Sequence, residues 1–214
     1  MIRALVPAKA LGEAKGRLSA VLSETERRKL ALAMIEDVVR TLKAVPAIES
    51  VHVVSPDSDV LRLAERLEAN PVAESASVRG LNQALARALS AMSPKPDALL
   101  IVPGDVPEAK PADIERLLAA LPERGIAICP SADRGTSALA LRPPDVIAFK
   151  FGERSSVNHR REAKAIGVSA EVVQIESLTH DVDSPENLRG LLARPADTAT
   201  HRLLAELRVE ERLG

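Results

Sequence analysis

The chain has 214 residues, of which 46% are hydrophobic and 28% charged, a composition typical of a globular protein rather than a disordered or fibrous one. Its formal net charge is −1 and it has no Trp, no Tyr and only two Phe, which excludes a nucleic-acid-coating surface and aromatic stacking platforms. The single cysteine, Cys129, excludes an internal disulfide and a thiolate metal cluster, and no apolar run reaches the roughly 18 residues of a membrane span. We therefore expect one domain over residues 1–214 in the reducing cytoplasm, with no nucleic-acid or membrane partner and no signal peptide.

The first predicted element is a short apolar strand that runs into a basic loop. Residues 2–6 (IRALV) are mostly apolar, and Lys9, Lys15 and Arg17 follow them closely. Cations and backbone N–H groups directly after a first strand suit the phosphates of a nucleoside triphosphate. The loop has neither the spacing of a Walker P-loop nor a dinucleotide fingerprint, and a solvated basic loop explains the same residues equally well.

Helices and strands then alternate along the chain. The capping-box pattern from Ser23 to Glu26 predicts the start of a helix whose apolar positions recur up to the break at Pro46. The alternation favours an α/β fold with a mostly parallel, doubly wound sheet flanked by helices. The further predicted elements are strands over 51–54, 98–102, 125–129, 136–141 and 172–175, and helices around 61–67, over 81–92, 113–121 and 155–165, and from Ser184-Pro185 onward.

An apolar run that ends on an acid carries the strongest functional signal. Residues 98–102 (ALLIV) have the pattern of a strand buried on both faces, and Pro103-Gly104 end it directly before Asp105. Ligands of open α/β sheets bind beyond the carboxyl ends of the strands, where Asp105 should lie. Asp181 and Asp183 are two residues apart, so on an extended backbone their carboxylates share one face. Three such carboxylates suit Mg²⁺, although each aspartate alone is explained better as a cap of a turn or helix.

Two motifs are candidates for substrate binding. Gly80 would let a base approach the backbone, and Asn82 can both donate and accept at a purine edge. Thr136 follows a glycine turn, and Gly152 and Ser155 lie at a predicted helix N-terminus, a position that favours anions such as a phosphate or a carboxylate. Each motif is also a common turn or cap.

His159 comes one helical turn after Ser155, and as a lone histidine it is explained more simply as a packed or surface residue. The other histidines of the chain are His52, His180 and His201. Their spacing does not support a zinc site.

Taken in order, these stretches resemble the 2-phospho-L-lactate and phosphoenolpyruvate guanylyltransferases of deazaflavin (coenzyme F420) biosynthesis, small relatives of the GT-A-type nucleotidyltransferases. The resemblance runs from Val6 to about Arg189. It departs from the family pattern at Ser137, where asparagine is expected, and at Gly16, where serine is common. The matching stretches are VPAKALGEAKGRL at 6–18, GLN at 80–82, PGDVP at 103–107, DRGTSAL at 133–139, FG at 151–152 with Ser155 and His159, and DVDSP at 181–185.

The resemblance implies transfer of GMP from GTP to the phosphate of a small phosphorylated three-carbon acid, with release of pyrophosphate. Phosphoenolpyruvate, 2-phospho-L-lactate and 3-phospho-D-glycerate are the acids it suggests, and Mg²⁺ is the cofactor. The resemblance implies that Asp105, Asp181 and Asp183 bind the metal. It implies catalytic roles for Asp105, Lys9, Lys15 and Arg17, with the three cations contacting the triphosphate. Gly80 and Asn82 would lie near the nucleoside, and Thr136, Gly152 and Ser155 would bind the acid.

Two alternatives remain open at this point. One is a guanylyl- or cytidylyltransferase acting on a molybdopterin or a sugar-type phosphate, although those proteins usually carry a Gly-Gly-rich loop with an arginine where this chain has Pro7-Ala8-Lys9. The other is a nucleotide-binding module without turnover, which the intact acids at both strand ends disfavour. The choice among the three acids, the strictness for GTP over ATP, the number of metals and the oligomeric state also stay open.

Overall fold

A central sheet organises the computed structural model, which describes residues 1–13, 15–74 and 80–213. Its seven strands are β1 (Ile2–Pro7), β2 (Ile48–Ser55), β3 (Asn70–Ala73), β4 (Ala98–Ile101), β5 (Gly125–Pro130), β6 (Thr136–Arg142) and β7 (Ser169–Val172). The helices are α1 (Glu24–Lys43), α2 (Ser58–Arg66), α3 (Leu81–Ser90), α4 (Pro111–Ala119), α5 (Ser155–Ala165), α6 (Pro185–Leu192), α7 (Ala199–Glu206) and α8 (Val209–Arg212). Short 3-10 turns cover Leu11–Glu13, Gly16–Leu18 and Glu176–Leu178.

The strand order is β3-β2-β1-β4-β6-β5-β7, and the sheet is mostly parallel. β1 pairs in parallel with β2 and β4, β2 with β3, and β5 with β7, whereas β6 runs antiparallel to both β4 and β5. The predicted α/β fold with a mostly parallel sheet flanked by helices is confirmed. After β1 the chain adds β2 on one side, and β4 later takes the other side. The carboxyl ends of β1 and β4 therefore flank a switch point, the place where open α/β sheets bind their ligands.

The central strands are buried on both faces. In β4, Leu100 packs in the apolar core on one side of the sheet, while Leu99 and Ile101 pack in the core on the other side. Ala4 and Leu5 alternate between the same two cores in β1. Because neither face meets water, these strands need apolar residues at every position, which is why they are continuous apolar runs in the sequence.

A third apolar cluster joins the basic loop to the C-terminal acid segment. Leu18 from the loop, Met34 from α1, Val182 and Leu188 are all buried together in it. Val182 lies between Asp181 and Asp183, so the packing of its side chain fixes the backbone from which both acids project. Burial of a leucine or valine side chain contributes about 1.5–3 kcal/mol, enough to hold such a segment in place.

Several predicted boundaries agree with the structure. The capping box at Ser23 and Glu26 is formed in full, and Cys129 is buried in β5. Among the helices of the described residues, none combines the length and the apolarity needed to cross a bilayer.

Four elements differ from the predictions. The strand expected over 172–175 is β7 at Ser169–Val172, an edge strand whose largely exposed side chains leave little apolar pattern. β3 was not predicted, since it is short and carries Pro71, which sheets tolerate at an edge. The helices α7 and α8 were also not predicted. α7 is stabilised by a long-range contact, because Asp37 of α1 accepts hydrogen bonds from the first backbone N–H groups of α7.

Candidate active site

A cavity of about 640 Å³ lies at the carboxyl ends of β1 and β4. This volume is within the roughly 300–1,000 Å³ of typical small-ligand sites. The structure brings together here the three cations of the basic loop, the glycine before α3 and two of the three predicted metal ligands. These residues are Lys9, Lys15, Arg17, Gly80, Asp105 and Asp183.

Lys15 lies between two of the acids. Its Nζ is 2.6 Å from Asp183 Oδ1 and 3.2 Å from Asp105 Oδ2, and its side chain is only 7% exposed. Burial by itself lowers the pKa of Lys15, but the charges and hydrogen bonds of the two carboxylates outweigh burial, so that its pKa lies above the usual value. Lys15 therefore carries its positive charge at neutral pH and neutralises part of the negative charge around it.

Asp181 lies beside this pair in a more negative environment. Burial raises its pKa, and the charges of Asp105 and Asp183 raise it further, with a smaller contribution from Asp133. The positive charge of Lys15 opposes these effects without cancelling them. The cluster thus has more carboxylates than positive charge, which is an electrostatic setting that favours binding of a further cation.

A preformed metal site of three ligands is absent from the described part of the chain. Asp105 and Asp183 instead converge on the Lys15 ammonium. Among the described residues that line the cavity, Asp181 is not included. The three-aspartate metal site therefore stays a prediction.

The loop after β4 is held close to β1 and α1. The backbone N–H of Gly104 donates to Pro7 O at 3.3 Å, which extends the β1–β4 contact past the strand ends. A Cβ at position 104 would come within 2.9 Å of Ile35 Cγ1, so a larger residue here would push the loop away from α1. Asp105 is joined directly to the second acid segment, because Val182 N–H donates to Asp105 O at 3.3 Å.

Glu108 makes a second link between the two acid segments, which the sequence analysis did not single out. Its carboxylate accepts from Arg194 Nε at 2.8 Å and Nη2 at 2.6 Å, and its Oε2 is 3.1 Å from His180 Nδ1. The Glu108 side chain is only 12% exposed. His180 directly precedes Asp181, and Glu108 is three residues after Asp105, so this ion pair clamps the backbone on both sides of the acid cluster. In the sequence, the signal for this role was the position of Glu108, three residues after the strand-end acid Asp105.

Asn82 forms a bridge between α3 and the loop before α5. Its Oδ1 accepts from Phe151 N–H at 2.8 Å, and its Nδ2 donates to Phe151 O at 3.0 Å. Gly80, which precedes α3 with φ of 85°, lines the cavity, whereas the described lining does not include Asn82. Contact of Asn82 with a nucleoside stays a prediction, and the observed bonds give it a positioning role.

Thr136 and Ser155 belong to a buried hydrogen-bonded network with His159. The Oγ1 of Thr136 is 2.8 Å from Ser155 Oγ and 3.2 Å from His159 Nδ1. His159 Nε2 accepts from Lys150 N–H at 2.9 Å, which assigns the ring proton to Nδ1. Burial, aided by the charge of Lys150, lowers the pKa of His159 to about 4. The interpretation of His159 as a packed histidine is confirmed.

The backbone N–H groups at the N-terminus of α5 already donate hydrogen bonds to other groups of the protein. Ser155 N–H donates to Gly152 O, Ser156 N–H to Arg134 O, and the next two N–H groups to Arg154 O. An anion at this helix would therefore have to displace existing bonds or use side chains. Over the described residues, Thr136, Gly152 and Ser155 also lie outside the lining of the 640 Å³ cavity. Their binding of the acid stays a prediction.

Comparison with curated proteins gives a consistent set of relatives. Phosphoenolpyruvate guanylyltransferase of Sphaerobacter thermophilus is 40% identical over 190 residues, covering 88% of this chain and 91% of that protein. 2-phospho-L-lactate guanylyltransferase of Methanothermobacter thermautotrophicus is 34% identical over 205 residues, covering 96% and 90%. 3-phospho-D-glycerate guanylyltransferase of Phenylobacterium zucineum is 34% identical over 201 residues, covering 91% of each.

Solved structures of low sequence identity share the fold. A protein from Desulfovibrio desulfuricans G20 that is assigned as a nucleotide-diphospho-sugar transferase superposes with a TM-score of 0.77 at 18% identity. The match covers 99% of this chain and 97% of that one. A nucleotidyl transferase from Methanothermobacter thermautotrophicus gives a TM-score of 0.61 at 17% identity, covering 89% and 95%. The family model described as "Guanylyl transferase CofC like" matches residues 2–213. The chain is therefore a nucleotidyltransferase that belongs to the CofC-like guanylyltransferase family.

Proposed function

We propose that this chain transfers the guanylyl group of GTP to the phosphate of a small phosphorylated three-carbon acid and releases pyrophosphate, as a step in coenzyme F420 biosynthesis. The observation that carries the proposal is the cavity at the carboxyl ends of β1 and β4, which Lys9, Lys15, Arg17, Asp105 and Asp183 line together. Relatives that act on phosphoenolpyruvate, 2-phospho-L-lactate and 3-phospho-D-glycerate support this substrate class. A transferase for a molybdopterin or a sugar-type phosphate is not favoured.

The reaction needs orientation and charge stabilisation more than a general base. A phosphate oxygen of the acid is already anionic, so it can attack the α-phosphorus of GTP in line while the bond to pyrophosphate breaks. Lys9, Lys15 and Arg17 line the cavity and would stabilise the negative charge that develops on the leaving pyrophosphate. His159 is buried and neutral within its own network, and it takes no part in this scheme.

Asp105 and Asp183 are the residues that would hold a divalent cation, with Asp181 beside them. They fit such an ion, because both carboxylates already converge on one positive group, the Lys15 ammonium. Hard carboxylate oxygens together with substrate phosphates are the usual ligands of Mg²⁺ in proteins. Bound here, Mg²⁺ would neutralise charge on the entering and leaving phosphate oxygens.

Asn82 would connect the two halves of the substrate site. Its bonds to Phe151 hold the loop that carries Gly152, the residue proposed for the acid. The same helix, α3, begins directly after Gly80, which lines the cavity proposed for the nucleotide. We therefore infer that Asn82 positions the acid-binding loop relative to the nucleotide.

The proposed function is tested by pyrophosphate release. The protein is incubated with Mg²⁺ and GTP, and each of the three acids is added separately, with ATP as a parallel donor. Release that requires both GTP and one of the acids is the expected result. No release with any acid would contradict the proposal, and hydrolysis of GTP without an acid would contradict the acceptor class.

Replacing Glu108 by glutamine should weaken the response to Mg²⁺ more than the response to GTP. The clamp to Arg194 and His180 would lose its charge, and the Asp181 segment would be less well held. Residues that orient metal ligands typically contribute about 10–100-fold to metal affinity or activity, so we expect a rise of about tenfold in the Mg²⁺ concentration for half-maximal rate.

The matched control is Glu36→Gln, which removes a surface ion pair with Arg40 on α1. This variant should behave like the wild type. A Glu108→Gln protein with an unchanged Mg²⁺ response, or one that changes only the KM for GTP, would show that the clamp does not position the acids.

A further inference from the structure

We propose that the Lys15 ammonium holds the place of a divalent cation between Asp105 and Asp183 while the nucleotide site is empty. A metal ion then binds at these carboxylates only when a triphosphate draws Lys15 away. This inference rests on the proposed function, because it concerns the metal and the nucleotide of that reaction. It adds to that reaction a coupling between binding of the metal and binding of the nucleotide.

The first argument is one of space. Lys15 Nζ is 2.6 Å from one carboxylate oxygen and 3.2 Å from the other, so it fills the gap between them. A Mg²⁺ ion bonded to both oxygen atoms at about 2.0–2.1 Å would have to lie in that same gap. Two cations at such a distance repel each other strongly, and the side chain of Lys15 is itself almost fully buried. Metal and ammonium therefore exclude each other at this position.

The second argument concerns how firmly Lys15 is held. Its side chain is 7% exposed, and two carboxylates share its charge. Releasing it without a replacement would leave these acids, and Asp181 beside them, without their counter-charge. A bare metal ion must overcome this ion pair before it binds. A triphosphate that arrives with the metal supplies Lys15 with new anionic partners.

The backbone around Lys15 allows the side chain to move while the loop stays in place. Leu18 N–H donates to Lys15 O at 2.9 Å, and the Leu18 side chain is buried against Val182 and its neighbours. Lys15 itself adopts a left-handed conformation with φ of 57°, held by the turn that follows. The exchange therefore needs only rotation of the flexible lysine chain within the cavity that Lys9 and Arg17 also line.

The test measures binding of Mn²⁺ to the nucleotide-free protein by electron paramagnetic resonance, with no turnover involved. Wild-type protein should bind Mn²⁺ weakly. Lys15→Met should bind it about tenfold more tightly or better, equivalent to at least about 1.4 kcal/mol. Adding Asp183→Asn to Lys15→Met should remove the gain, which locates the ion at the acid cluster.

Lys9→Met is the matched control. Lys9 lines the same cavity and carries the same charge, and among the described contacts it forms no ion pair with Asp105 or Asp183. Its loss should leave Mn²⁺ binding near the wild-type level. Equal gains in Lys9→Met and Lys15→Met would overturn the inference, because they would reflect net charge alone. Tight Mn²⁺ binding by the wild type would overturn it as well.

Two features of the experiment allow each outcome to be interpreted. Lys15→Gln provides a polar replacement if Lys15→Met does not fold, and thermal unfolding of each variant identifies that case. Because the measurement uses neither GTP nor an acid, failure of the pyrophosphate assay would leave the Mn²⁺ result interpretable. Conversely, unchanged Mn²⁺ binding in both Lys15 variants would reject the inference even if the enzyme turns over.

Discussion

Replacing Asp183 by asparagine should lower kcat for pyrophosphate release by on the order of 10³-fold, even at saturating Mg²⁺. The Asp183 carboxylate makes the shorter of the two contacts to Lys15 and lines the cavity, so we propose it as the acid that binds a cation beside the triphosphate. Asparagine preserves the shape of the side chain and can still accept a hydrogen bond from Lys15. Since the side chain is 43% exposed, we expect the midpoint of thermal unfolding to stay close to that of the wild type.

Asp145→Asn is the control for this prediction. Asp145 is also partly exposed and forms an ion pair with Lys95 at 2.6 Å, and neither residue belongs to the described cavity lining. The substitution makes the same change in charge and should leave kcat unchanged. A near-normal kcat for Asp183→Asn would remove Asp183 from the metal assignment.

Acidification should destabilise the protein through His159. The pKa of this buried histidine is about 4 in the folded chain, against an ordinary value of 6.5. Between these values the unfolded chain binds a proton that the folded chain does not, so the free energy of unfolding falls as the pH is lowered. The contribution is fully present above pH 6.5 and is lost progressively as the pH falls to about 4, with a total of about 3 kcal/mol.

His159→Gln isolates this contribution. Glutamine does not titrate, and its side-chain oxygen can replace Nε2 as the acceptor for Lys150 N–H. Urea unfolding at pH 7 and pH 5 should therefore show a smaller loss of stability in the variant than in the wild type. The pKa of His52 is lowered by burial and by the charge of Arg3, so His52 contributes equally to the pH dependence of stability in both proteins. An identical loss in both would show that His159 does not control acid stability.

The parts of the fold that could be predicted are those with a continuous or periodic apolar pattern. β4 is buried on both faces, so residues 98–102 indicated both a central strand and the place where Asp105 emerges. The capping box at Ser23 and the proline after Ser184 marked two helix starts through local bonds alone. β3 and β7 were missed or displaced because edge strands bury little side-chain surface.

The site could be predicted only in part, because its key contacts join residues distant in sequence. The approach of Lys15 to Asp105 and Asp183 spans 90 and 168 residues, and local patterns do not encode such pairings. For the same reason the sequence did not reveal that Asn82 binds the Phe151 backbone or that Glu108 clamps Arg194. Residue types indicated which chemistry to expect, whereas the side-chain partners depended on the tertiary fold.

The most direct test of the central claim is ³¹P NMR of the protein with Mg²⁺, GTP and each phosphorylated acid in turn. Guanylyl transfer predicts loss of the triphosphate resonances, appearance of pyrophosphate and a new pair of mutually coupled resonances from the diphosphate bridge between GMP and the acid. Unchanged GTP with all three acids, or GMP formed without the coupled pair, would contradict the assignment of this chain as a guanylyltransferase for phosphorylated three-carbon acids.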